Sequence, residues 1–108
     1  NDFMKKLTAY IEDNLASESL DMESLASNMN VSVSSLYRKV KSLIGITANG
    51  YIRKIKMKKA AETLTSGNFN ISETAWNVGI SSLAYFRQCF KDEYGCTPSE
   101  YRKNINTQ

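Results

Sequence analysis

The chain has 108 residues, 42% hydrophobic and 23% charged, which fits one compact domain or two very small subdomains and excludes a wholly disordered segment. It contains no His, which removes the commonest general base and metal ligand. The net charge of +3 is unevenly spread: residues 1–30 carry −4, residues 31–61 carry +8 with no acid, and residues 62–108 carry −1.

A block that basic points to a polyanion partner, of which nucleic acid is the usual one. No apolar run approaches the roughly 20 residues that cross a bilayer, and no signal-peptide pattern opens the chain. The start at Asn1 in place of Met reads as a piece of a longer protein. Cys89 and Cys96 have no C-x-x-C or other metal-type spacing and read as reduced thiols of a cytoplasmic protein. No metal and no cofactor is expected.

Gly and Pro are scarce and the apolar spacing is helical throughout, so the fold class is all-α, with about seven helices. The first helix is predicted over about Phe3–Leu15, with the stripe Phe3, Leu7, Tyr10, Ile11 and Leu15. Asp21 is a good N-cap for a second helix carrying Met22, Leu25, Ala26 and Met29 at i, i+3, i+4 and i+7. Asn30 follows, a residue that tolerates the left-handed turn conformation. Ser32 caps a third helix that runs to Ile44 and stops at Gly45. Thr47 caps a long fourth helix ending near Ser66-Gly67, with Ile52, Ile55, Ala60, Ala61 and Leu64 as packing residues.

Asn70 and Glu73 form a capping-box-like start for a fifth helix, which ends at Gly79. Ser81 or Ser82 opens a sixth that stops at Gly95. Thr97-Pro98 opens a short seventh, with Thr as N-cap and Pro at the first helical position. Trp76 and Phe69 are expected to be buried between the fifth helix and its neighbours.

The second half repeats the first. Met22, Leu25, Ala26 and Met29 fall on Ile71, Thr74, Ala75 and Val78 at an offset of 49. Leu36, Val40, Ile44, Gly45, Thr47 and Tyr51 fall on Phe86, Phe90, Tyr94, Gly95, Thr97 and Tyr101 at an offset of 50. The same helix–turn–helix thus occurs twice, giving two subdomains joined by a linker helix: residues 1–46, 47–67 and 68–108.

In a helix-turn-helix the second helix enters the major groove, so its outward face is the test. In the third helix Leu36, Val40, Leu43 and Ile44 are predicted inward, and Ser34, Tyr37, Arg38 and Lys41 outward. In the sixth, Phe86, Phe90 and Tyr94 are predicted inward, and Ala84, Arg87, Gln88 and Lys91 outward, with Leu83 at the start. Each outward face carries an Arg and is read as free of acids. Arg bonds a guanine edge with two hydrogen bonds, Gln does so with adenine, and Leu and Ala pack on a thymine methyl. Ser32, Ser35, Ser81 and Ser82 sit at helix starts, where hydroxyls and backbone N–H groups suit phosphate.

A merely solvated face competes with this reading for either helix alone; the duplication favours DNA. The fourth helix spans about 18 residues, or about 27 Å, against about 34 Å between successive major grooves. It is expected to hold the two recognition helices at that order of spacing. Some of its bases, Arg53 and Lys58 among them, are expected to face phosphates.

The strings LASNMNVSVSSLYRKVKSLIG, YIRKIKMKKAAETL and ISETAWNVGISSLAYFRQCFKDEYGCTPSEYR resemble the AraC/XylS-type DNA-binding domain over about residues 20–102. The stretch from Ser82 to Arg102 is the most specific part. The leading helix and the SSLYRKVKSLIG wording are most similar to the C-terminal output domains of hybrid two-component sensor-regulators, in which sensor, kinase and receiver precede this domain.

The resemblance implies a regulator that binds double-stranded promoter DNA through two major-groove helices, over about residues 33–44 and 82–94. The family's base-contact positions match Ser34, Tyr37 and Arg38 in the first unit and Leu83, Ala84, Tyr85, Arg87 and Gln88 in the second. The phosphate-contacting set is Ser32, Ser35, Lys41, Arg53, Lys58, Ser81, Ser82 and Lys91. RNA polymerase is a further expected partner. The fragment is expected to be monomeric and the full-length protein dimeric.

There are departures from the family pattern. Asn30 replaces the usual turn Gly of the first unit, Ile80 replaces a frequent Phe, and Ala48 stands where Pro is common. Gly50, inside the start of the fourth helix, costs up to about 1 kcal/mol relative to Ala and predicts a weakened first turn. A helical protein-interaction module with a basic surface is the competing reading. An enzyme is the weakest reading, given the missing His, the absence of a phosphate-cradling Gly loop, and the lack of a nucleophile–base pair.

Overall fold

Seven helices follow one another in a computed structural model that describes residues 1–17 and 20–106, among which every candidate residue above lies. They are α1 (Asp2–Asp13), α2 (Met22–Asn28), α3 (Val33–Ile44), α4 (Ala48–Ser66), α5 (Ile71–Asn77), α6 (Leu83–Tyr94) and α7 (Pro98–Asn106). The chain divides into two units, Asn1–Ile55 and Lys56–Gln108, with the boundary inside α4.

Helix starts fall where short polar side chains satisfy the free N–H groups of the first turn. Asp21 accepts from the Ser24 N–H at 2.8 Å, while the Ser24 hydroxyl accepts from the Asp21 N–H at 3.2 Å. Asn70 and Glu73 make the same reciprocal pair at 2.7 and 2.9 Å. Ser32 caps α3, and Ser82, not Ser81, caps α6. Thr97 and Glu100 close a third box at the start of α7.

Gly50 lies in the first turn of α4, which is helical from Ala48. Its N–H donates to the Thr47 hydroxyl at 3.0 Å, and a Cβ there would sit 3.1 Å from that oxygen. The small residue leaves room for Thr47 to cap the helix start.

In the first unit, α1, α2, α3 and the start of α4 enclose an aliphatic core. Leu7, Ile11, Leu25, Leu36 and Val40 are at most 2% exposed, and Leu15, just past the end of α1, joins them. Ala48 is buried there, and Tyr51, Ile52 and Ile55 are partly buried against the same cluster. Thr8 and Tyr51 are bonded through their hydroxyls at 2.5 Å, tying α1 to α4.

The second unit has an aromatic core. Phe86 and Phe90 are fully buried among Met57, Ala60, Ala61, Leu64, Ala75, Val78, Ile80 and Cys89. The Phe90 ring lies 4.7 Å from Tyr94 and 5.3 Å from Tyr101, which brings α7 onto α6. The Arg102 guanidinium donates to the Phe69 carbonyl and fastens α7 to the loop before α5. Helix α4 therefore serves each core with its own i, i+3, i+4, i+7 quartet: residues 48, 51, 52 and 55, then 57, 60, 61 and 64.

Three expectations about burial fail. Tyr94, predicted inward on α6, is 36% exposed: it sits in the last turn, its ring packed on Phe90 on one side and partly open to solvent. Leu43 and Ile44 are 45% and 37% exposed. They share the azimuth of Leu36 and Val40, but they sit in the last turn of α3, past the edge of the core. Trp76 is 72% exposed and Phe69 39%. The buried side of α5 is Ile71, Thr74, Ala75 and Val78. At about 100° per residue, Trp76 lies on the far side of that two-turn helix.

Candidate nucleic-acid interface

Each unit holds a short helix, a tight turn and a longer helix, and the turn chemistry repeats. The Val31 N–H donates to the Ala26 carbonyl, and the Ile80 N–H to the Ala75 carbonyl, both at 3.0 Å. The pivot residues are Asn30 with φ 58° and Gly79 with φ 74°. Asn is the non-glycine residue best able to hold that left-handed backbone, so the exchange leaves the turn intact.

Beyond the turn, Leu36 and Val40 anchor α3, and Phe86 and Phe90 anchor α6, all at 0% exposure. Anchoring one side fixes which residues face out. On α3, Ser34, Tyr37, Arg38 and Lys41 are exposed, with Tyr37 at 38%. Ser35 is half-buried. The Ser32 hydroxyl donates to Ser35 at 3.1 Å, and the Arg38 guanidinium donates to the same Ser35 oxygen at 3.3 Å. A chain of polar groups therefore runs from the helix start to the Arg. Lys41 donates to the Gly45 carbonyl at 3.0 Å, neutralising the C-terminal end of its own helix.

On α6, Ala84, Tyr85, Arg87, Gln88 and Lys91 are exposed, with Tyr85 at 54%. Leu83 is half-buried against the second core. Ser81 is exposed just before the cap. The acid-free reading of this face needs correction. Asp92 lies one turn beyond Gln88 and accepts from its amide NH2 at 2.8 Å. The i, i+4 relation of 88 and 92 extends the outward stripe one residue past Lys91.

The basic run of α4 is not uniform. Arg53, Lys54, Lys58 and Lys59 are exposed, whereas Lys56 is half-buried, and burial pushes its ammonium below the usual lysine range. Arg53 falls in the first unit and Lys58 in the second. Among the described residues there is no cluster of His, Cys, Asp or Glu able to hold a metal ion. Among the same residues, no helix is long and apolar enough to cross a membrane.

Two anchored helices of this kind, each following a tight turn and each showing an exposed Arg and an amide, phenol or hydroxyl companion, define a helix-turn-helix DNA-binding domain. Residues 25–104 match the family model described as a helix-turn-helix domain. The chain belongs to that family, in its AraC-type form, a DNA-binding domain of transcription regulators.

It is 34% identical, over 97% of its length, to histidine kinase P4 of Formosa agariphila, of which it covers 8%. It is 32% identical over 91% of its length to the transcriptional activator RhaS of Mannheimia succiniciproducens, covering 36% of that protein. The chain thus spans a small part of the curated relatives it matches. Among solved structures, the C-terminal domain of AraT, a response regulator from Geobacillus stearothermophilus, is 35% identical with a TM-score of 0.86. That match covers 96% of this chain and 86% of the AraT one.

Proposed function

We propose that this domain reads promoter DNA as the output end of a longer regulator, with α3 and α6 entering successive major grooves. The observation that carries this reading is the matched exposure of Arg38 on α3 and Arg87 on α6, each opposite a fully buried anchor pair. Base contacts fall to Ser34, Tyr37 and Arg38, and to Leu83, Ala84, Tyr85, Arg87 and Gln88. Ser32, Ser35, Ser81, Ser82, Lys41, Lys91, Arg53 and Lys58 face phosphates, which position the helices and carry no sequence information. The Lys41 ammonium already gives one of its three donors to the Gly45 carbonyl.

A two-component parent is supported by two relatives: a histidine kinase of which the chain matches a small part, and a response regulator matched at its C-terminal domain. In such a parent, sensor, kinase and receiver domains control the domain, two copies bind adjacent half-sites, and RNA polymerase is the downstream partner in the cytoplasm. The test is binding to a selected promoter duplex and to its scrambled counterpart at one salt concentration. A preference of about a thousandfold or more is expected. Equal affinity overturns the reading and leaves a basic helical module that binds acidic partners.

A further inference from the structure

Gln88 occupies in α6 the position that Arg38 occupies in α3, at the offset of 50 that relates the two recognition helices. The two side chains differ in what they can offer a base. Arg carries donors only. A Gln amide carries a donor end and an acceptor end, and left alone it can turn either end outward. It can then accept from the exocyclic amino group of adenine or cytosine, or donate to the keto oxygen of guanine or thymine.

The Gln88 amide is not left alone. Its NH2 donates to the Asp92 carboxylate at 2.8 Å. An ionised carboxylate only accepts hydrogen bonds, so the reverse orientation would set the amide oxygen against an anion. Asp92 therefore fixes the polarity of the amide and leaves Oε1 as the end turned away from it. Both residues are exposed, on the outward side of α6, so the pair is not accounted for by core packing.

We infer that Asp92 is a specificity-determining positioning residue. By holding the Gln88 NH2 group and engaging one of its two N–H donors, it makes α6 favour a base that presents an amino group in the major groove, adenine or cytosine, over guanine or thymine. The inference rests on the DNA-reading function proposed above and sharpens it at one base pair. At the matching position of the first unit, Arg38 demands acceptors, so the two halves of the recognised site differ in kind at corresponding steps.

The experiment is selection of sites from random duplexes, followed by titration of the four base-pair variants at the position that Gln88→Ala identifies. Wild type is expected to favour the amino bases over the keto bases by about tenfold or more. Asp92→Ala frees the amide, and the ratio should fall to within about threefold. Asp92→Glu, which restores an acceptor-only group, should restore it. Asp92→Lys donates to Oε1 instead and should invert the preference toward guanine or thymine.

Using ratios within each variant removes the uniform affinity change that altering a charge near phosphates brings. A wild-type preference for keto bases, or a ratio unmoved by Asp92→Ala, overturns the inference while the preferences set by Arg38 and Arg87 persist. Loss of all sequence preference in wild type overturns the DNA-reading proposal itself, and this inference with it.

Discussion

The two units share a turn and a helix pair but solve their problems with different materials. The first is closed by α1 over aliphatic side chains, and its outer helix is strongly basic: Arg38, Lys39 and Lys41 with no acid between Val33 and Ile44. The second is closed by α7 over a cluster of rings, and its outer helix balances Arg87 and Lys91 against Asp92 and Glu93. A cationic helix attracts any duplex, because phosphate contacts are independent of sequence. A helix of near-zero charge gains little from the backbone and must rely on base contacts. The first unit should therefore dominate affinity and salt dependence, and the second should contribute discrimination out of proportion to its charge.

The largest effects should come from removing the anchors. Phe90→Ala empties the centre of the ring cluster and is expected to cost about 3–5 kcal/mol of stability. Leu36→Ala should cost about 2–5 kcal/mol in the aliphatic core. Urea unfolding followed by circular dichroism measures both. Amide exchange should show each loss concentrated in its own unit; a loss spread evenly over the chain would erase the distinction between the two cores.

Next come the reading residues. Arg38→Ala and Arg87→Ala should each weaken the selected site by about 1–3 kcal/mol and relax preference at one base pair. Binding to scrambled duplex should suffer more from Arg38→Ala, given the charge of its helix. Lys58→Ala should weaken all duplexes alike and lower the salt slope by about one. An equal salt response to all three substitutions would contradict the division of labour.

The smallest effect concerns α7. The Thr97 N–H donates to the Glu100 carboxylate and, with the Thr97 side chain, holds its pKa below the ordinary glutamate value. A carboxyl depressed in the folded state stabilises it above the unfolded pKa, and that contribution is lost as pH falls through the folded value. The second unit should thus lose stability below about pH 4.5, and Glu100→Gln should flatten that part of the profile. Glu100 is fully solvated, so the change is slight, and a profile indifferent to the substitution would remove the box from the account of α7.

Local chemistry made most of this architecture readable in advance. Asp21, Ser32, Thr47, Asn70 and Thr97 each begin a helix because one short polar side chain next to an apolar stripe is sufficient to stop fraying. The duplication was visible because burial imposes the same spacing on both halves. Depth was not readable. A stripe gives the direction of Leu43 and Ile44 around α3 but not the fact that the core ends one turn earlier.

Trp76 was misplaced because its size outweighed its position, although Ile71, Thr74, Ala75 and Val78 already filled the inner side of α5. The outward residues of α3 and α6 were found from their anchors. The bond from Gln88 to Asp92 escapes a stripe that ends at Lys91, because the partner lies one residue further along the helix.

The most direct test of the central claim is selection from random duplexes by wild type, Arg38→Ala and Arg87→Ala in parallel. The account predicts a site with two separate blocks of preference, one degraded by each substitution and the other left intact. A single block degraded by both variants, or two blocks that neither variant changes, would contradict it.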